Sequence, residues 1–203
     1  LRRAMTEQYK VDLRSKSGAQ VAKAVIGHQL KSVGVSPKVR KVSAGTSYKY
    51  KMPEFIRFDC EQLNDLKELV KKADFVVNDK GSVLIPDELK KVINFDGAKY
   101  KIGIGGLHSQ EKKQAVVCGE NQIFGEFDYA SMYPFIILNQ DLYPKHLGTK
   151  FLTMYKDIVN RRIEAKKSGD KATANSLKLV INSSFGLFGN RYSFLYSPDL
   201  YSF

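Results

Sequence analysis

Asp128 stands where chemistry is easy to place. It closes the apolar run "QIFGEF" and begins "DYASMYPFIIL", so a carboxylate is expected at the end of a buried strand. Strand ends suit chemistry because the sheet fixes a side chain while the adjoining loop admits substrate. Pro134 fits the first turn of a helix, where its missing N–H has no partner to lose. The N–H groups of Ser131, Met132 and Tyr133 are then expected at a helix N-terminus. Unpaired donors and the positive end of the helix dipole both favour an anion there. A carboxylate beside an anion is repulsive unless a cation lies between them, and Mg2+ bridging Asp128 and a phosphate resolves the conflict. The plainer alternative is that Asp128 caps the helix through its own oxygen. Both readings are open on these residues alone.

A second set of residues lies downstream. Arg162 and Lys166 are four apart on one predicted helix, Lys178 and Asn182 four apart on the next, and Phe185 continues the second face. Ser168-Gly169-Asp170 reads as a stop and turn, and a turn this short makes the two helices antiparallel. Arg162 lies seven residues before Gly169 and Lys178 nine after it, so the two are expected at similar height. Cations on facing helices can clamp a triphosphate and neutralise charge during phosphoryl transfer. The alternative is a pair of solvated amphipathic helices. Asn182-Ser183-Ser184 weighs against it, since these are poor helix formers in mid-helix.

The elements that must position these groups follow from period and punctuation. Ser17 with Gln20 three residues on predicts a capping box, with Ala22, Val25, Ile26, Gln29 and Leu30 on one helical face. Residues 32–53 are basic, lack a clear period and read as a linker or irregular hairpin. Residues 61–72 predict a helix, "DFVVNDKGSVLIP" a strand, turn and strand, and Pro86 the start of a short helix. Gly103, Gly105 and Gly106 mark either a sharply bent strand or a ligand-facing loop. "QAVVC" and "QIFGEF" predict two antiparallel strands joined by Gly119-Glu120-Asn121. Helices are expected over 151–167 and 171–185, and a strand with its exit over "NRYSFLYSPDLYSF".

The bulk numbers bound the class. The chain has 203 residues, 43% of them hydrophobic, enough for a buried core and unlike a disordered tail. It contains no eighteen-residue apolar run, so no membrane partner is expected. Cys60 and Cys118 match no metal-ligand spacing and suit a reduced compartment, and the three scattered His predict no zinc site. The net charge is +12, and residues 10–51 hold ten Lys or Arg against Asp12 alone. Such a block suits a polyanion, although a solvated basic face gives the same count. The chain begins at Leu1, and a piece of a longer polypeptide is expected.

"DYASMYPFII" (128–137) resembles the D-x-x-S-L-Y-P-S-I-I motif of family B DNA polymerases, and "KLVINSSFG" (178–186) resembles their K-x-x-x-N-S-x-Y-G motif. "IGGLHS" and "SKSGAQVAKAVI" resemble flanking regions of phage-type members, so the likeness covers most of the chain. The resemblance implies an α+β fold, with antiparallel strands of an incomplete palm and a helical-hairpin fingers insertion. It divides the chain into a basic pre-palm region (1–110), the first part of the palm (111–148), the fingers (149–186) and a return toward the palm (187–203). It makes Asp128 the catalytic ligand of Mg2+. The backbone of Ser131, Met132 and Tyr133 would hold the phosphates, and Tyr133 would lie under the sugar and exclude a 2′-hydroxyl. Lys178 would bind the triphosphate, and Asn182 and Phe185 would line the nascent base-pair pocket beside Gly186. Arg162 and Lys166 match the basic fingers helix by spacing, Gly105 and Gly106 the glycines of a template-contact loop. The implied partners are a DNA primer-template, a dNTP and the rest of the polymerase, in the cytoplasm of a bacterial host.

The sequence departs from the family at Met132 for Leu, Phe135 for Ser, Phe185 for Tyr, and Gly103 where the template loop has Tyr. The Y-x-D-T-D-S motif, which supplies the second metal-binding Asp, is not in these 203 residues, nor are acidic exonuclease motifs. Two-metal transfer needs carboxylates enough for both ions. The chain by itself is therefore expected to be inactive or nearly so. A split polymerase completed by a second polypeptide and a nucleic-acid-binding prophage remnant are the alternatives.

Overall fold

The computed structural model describes residues 2–95, 97–129 and 131–201. The fold is α+β, with seven α-helices and two small antiparallel sheets among the described residues. Helix α1 spans Arg2–Tyr9 and α2 Gly18–Ser32. Strand β1 is Ser47–Tyr48, α3 is Glu61–Lys72 and β2 is Phe75–Val76. Strands β3 (Val92–Phe95), β4 (Ala98–Gly103) and β5 (Gly106–Ser109) form a meander with β4 in the centre. Helices α4 (Met132–Asn139), α5 (Lys150–Lys167), α6 (Lys171–Phe188) and α7 (Pro198–Tyr201) follow.

The larger core is helical. It joins Met5 and Tyr9 of α1, the apolar face of α2, and facing residues of α5 and α6. The α2 start has the expected capping box, with Ser17 accepting from Gln20 N and Gln20 Oε1 accepting from Ser17 N. Gly18 lets α2 sit tightly on α6, since a Cβ there would stand 3.0 Å from Leu179 Cδ1 and 3.5 Å from Ser183 Oγ. Helices α5 and α6 form the expected antiparallel hairpin. Gly169 takes a left-handed φ of +78° in the turn, and Asp170 caps α6 by accepting from Thr173 N at 3.0 Å.

Ser184 explains part of the unusual mid-helix trio. It is fully buried, donates to the Ile181 carbonyl at 2.6 Å and shares a 2.9 Å bond with Tyr155 Oη. Burial pushes the Tyr155 hydroxyl up to about 12, so it stays protonated and needs partners inside the core. Ser183 lies under Gly18. Both serines are thus small residues where helices meet. Ser184→Ala is expected to lower unfolding free energy by about 1–3 kcal/mol, because Tyr155 keeps only its long 3.4 Å bond to the Ile181 carbonyl. Urea denaturation of the variant measures this, and no loss would show that the pair is idle.

A smaller core gathers Val70, Ala73, Phe75, Val77, Val83 and Leu89, with Ile102 and Ile104 of the meander against it. Segment 190–201 ties the two cores together. Tyr196 Oη donates to the Gly81 carbonyl at 2.8 Å, Arg191 to the Asp79 carbonyl at 3.1 Å, and Arg40 pairs with Asp199 at 3.2 Å.

Several expectations are corrected. Segments 114–118 and 122–127 do not pair as strands; residues 110–129 form neither helix nor strand and are exposed. Val117, Ile123 and Phe127 are 87%, 98% and 97% exposed. No described element offers a face to cover these side chains. An isolated hairpin without such cover does not offset its ordering entropy. Residues 111–129, expected to be palm strands, are therefore irregular, and Asp128 does not end a strand. "NRYSFLYSPDLYSF" is not a strand: its backbone bonds close local turns, such as Ser193 N to the Asn190 carbonyl at 2.9 Å, and α7 follows. Its last two residues lie outside the described set. The 32–53 stretch contributes β1, which pairs with β2 through Ser47↔Val76 and Tyr48↔Phe75. Helix α6 runs three residues beyond its expected end.

Candidate functional site

The site is built on the N-terminus of α4. Ser131 is its N-cap and lies in the left-handed region, at φ 58° and ψ 40°. A non-glycine residue held there carries strain, which tends to persist where surroundings over-determine the backbone. Ser131 makes no side-chain bond to its own helix. The Met132 and Tyr133 N–H groups therefore have no intrahelical acceptor, and Pro134 in the first turn has no N–H. Asp128 is exposed and bonds no described residue, so it is not the helix cap.

The serine side chain turns outward to α5. Arg162 donates an Nη1 hydrogen bond to Ser131 Oγ, and its Nε is buried without a partner among the described residues. Spacing had suggested Arg162 only as one of two cations on a helix. The structure sets it against the α4 start. Lys166 is exposed and makes no such contact.

The hairpin register fixes the height of the other cation. Tyr155 lies opposite Ile181 and Ser184. Seven residues along α5 match seven back along α6, so Arg162 stands level with about residue 175, within one turn of Lys178. Lys178, Asn182 and Gly186 are all exposed, and nothing lies within 4 Å of a Cβ built on Gly186. Lys178 and Asn182 bond no described residue.

Three motif segments meet on the other side of α4. The Tyr133 ring packs on Phe185 with centroids 4.9 Å apart and planes tilted 33°. Tyr133 Oη donates to the Gly105 carbonyl at 3.0 Å. Gly105 has φ +94°, and a Cβ there would meet Phe185 Cε1 at 3.3 Å and Tyr133 Oη at 3.6 Å. Glycine is thus required by both the turn and the close approach. Gly103 and Gly106 pair across this β4–β5 turn, so the glycine stretch is a tight hairpin, not one bent strand. Sequence reasoning missed the Tyr133–Gly105 bond, because nothing in the spacing links residues 28 apart across an irregular segment.

The Tyr133–Phe185–Gly105 cluster opens onto a cleft of about 690 Å³ between the two cores. Met132, Phe135, Leu107 and Phe188 line it near α4, and Phe55, Phe58 and Leu66 line it opposite. The lining is almost wholly apolar. The site therefore has two parts, the apolar cleft floored by Tyr133 and Phe185 and, outside the cleft lining, the Arg162 cation held at Ser131.

The protein-family models, the curated proteins and the solved structures searched give no match to this chain. No helix among the described residues is long and apolar enough to cross a membrane. No three described His, Cys, Asp or Glu side chains come together as a metal-binding group. Asp128 is an exposed carboxylate that joins no such group of three among the described residues. Mg2+ is commonly held by one or two carboxylates plus substrate phosphates, and Asp128 fits one such position but not a two-ion cage.

Proposed function

We propose that this chain is part of a template-directed DNA polymerase of the phage-like family B type. The observation that carries the reading is the convergence of segments 103–106, 128–137 and 178–186, far apart in sequence, on the Tyr133–Phe185–Gly105 cluster. The parent reaction is attack of a primer 3′-hydroxyl on the α-phosphate of a dNTP, releasing pyrophosphate.

The two parts of the site divide the work. An apolar floor suits the faces of a sugar and base. Tyr133, held by Gly105 and Phe185, would stand under the sugar and leave no room for a 2′-hydroxyl. The Met132 and Tyr133 N–H groups and Arg162 would take phosphate oxygens, and Lys178 on the adjacent helix would neutralise the outer phosphates. When bound, Mg2+ would supply charge neutralisation between these phosphates and Asp128. Exposed Asn182 and Gly186, on either side of the packed Phe185, would give the flank where a template base pair sits. Lys166 lies further along the same cationic helix.

A single carboxylate leaves the two-ion chemistry incomplete. We expect the chain alone to give no primer extension. Extension is expected when it is mixed with a polypeptide carrying the missing Asp segment, and Asp128→Asn abolishes that activity. Extension by the chain alone, unaffected by Asp128→Asn, overturns the assignment. Failure of the mixture, together with no dNTP binding, leaves a non-catalytic nucleic-acid-binding module.

A further inference from the structure

The outer face of the β3–β4–β5 sheet carries cations that the described chain does not use. Along β4, Tyr100 and Ile102 are half-buried while Lys99 and Lys101 face solvent. The register sets Asn94 beside Lys99, and Val92 and His108 on either side of Lys101. All of these flanking side chains are exposed. The His108 ring lies over Gly103, where a Cβ would stand 3.1 Å from its Cδ2. One polar face thus runs from Gly103 to Lys99, about 13 Å at the strand rise.

Two ordinary reasons for strand lysines do not apply. Lysine on an edge strand blocks pairing with another sheet, but β4 is the central strand. Lysine opposite an acid forms a cross-strand pair, but the neighbours of Lys99 and Lys101 are Asn94, Val92 and His108. Neither lysine forms an ion pair among the described residues. Residues 90–113 hold six Lys against Asp96 and Glu111, and Asp87 engages only Lys90. Lysine is depleted in strands, so two on a central strand with no carboxylate paired to them among the described residues point to a polyanion from outside.

The face ends at the β4–β5 turn, whose Gly105 carbonyl holds Tyr133. It therefore leads directly away from the candidate nucleotide site. We propose that this sheet face binds the phosphate backbone of a nucleic-acid strand, with Lys99 and Lys101 each on a phosphate and His108 making a third polar contact. Naming the polyanion as nucleic acid rests on the polymerase reading; the cationic face itself does not. At about 3.4 Å per nucleotide the strip spans about four nucleotides.

The test is fluorescence anisotropy of the whole chain with a fluorescein-labelled 20-nucleotide oligo-dT, without Mg2+ or dNTP, over a salt series. Lys99→Gln/Lys101→Gln is expected to weaken binding about tenfold at 0.1 M salt and to flatten the log Kd–log salt slope by about 1.4, two single-strand contacts at ~0.7 each. Lys71→Gln/Lys72→Gln on α3 makes the same change in net charge and is expected to move affinity less than about twofold. Equal weakening by both pairs, no weakening by the first, or no binding by the parent chain overturns the proposal. Far-UV circular dichroism confirms that each variant is folded. Failure of dNTP binding with this pattern intact removes the nucleotide site alone, whereas dNTP binding with the pattern lost removes the sheet face alone.

Discussion

Phe151→Ala will lower the unfolding free energy by about 3–5 kcal/mol. The ring is fully buried, stacks on Tyr155 with centroids 5.4 Å apart and meets Phe188 edge-on at 6.2 Å. Truncation removes burial, leaves a cavity among three helices and breaks two aromatic contacts worth about 0.5–1.5 kcal/mol each beyond their area. A total stability of about 5–15 kcal/mol is usual for a domain, so the loss is a large share. In urea the midpoint is expected to fall with the slope unchanged. Phe151→Leu should recover part of the loss. A change under about 1 kcal/mol for Phe151→Ala would falsify the packing of this core. The effect reaches the site, because Phe188 packs on Phe185 at 6.3 Å and Phe185 on Tyr133.

If the proposed nucleotide site is right, Lys178→Ala is expected to weaken Mg2+·dNTP binding by about 10- to 100-fold, since a charge-assisted bond contributes roughly 1.5–3 kcal/mol. The side chain is exposed and touches no described partner, so stability should move by less than about 0.5 kcal/mol. That separation makes the result readable by calorimetric titration alongside thermal unfolding. An unchanged affinity removes Lys178 from the clamp. Arg162→Ala should behave differently. It removes the phosphate donor of the proposed reading and also the bond from Arg162 to Ser131 at the start of α4. Affinity and local order at α4 should fall together, the latter as faster amide exchange over residues 132–136. Arg162→Lys keeps the charge but not the planar fork, and is expected to restore only part of the binding.

The helical part of the fold was legible because its signals are local. Ser17 with Gln20, the apolar period of 61–72, and Gly169 between two long periodic segments each specify structure within a few residues. The strands over 114–118 and 122–127 were misread for the opposite reason. Apolar composition favours a strand only where another layer covers it, and a count of Val, Ile and Phe does not reveal that layer. The segment "SFLYS" misled in the same way. Phe194, Leu195 and Tyr196 are all buried through local turns, the first two in the helical core and Tyr196 against the Gly81 loop. Asn182-Ser183-Ser184 hinted at function by composition, and only packing separated exposed Asn182 from the two serines that serve helix contacts.

By itself the sequence determined the α5–α6 hairpin, the α4 start at the Pro134 turn, the cationic composition and the carboxylate at 128. These depend on local propensity, on caps and on counting charges. Tertiary structure alone decided that Tyr133, Phe185 and Gly105 share one cluster, that Arg162 rather than Lys166 reaches Ser131, and that Lys99 and Lys101 line a central strand. Such contacts arise from how helices and sheet pack around two cores, and no spacing along the chain encodes a distance across them.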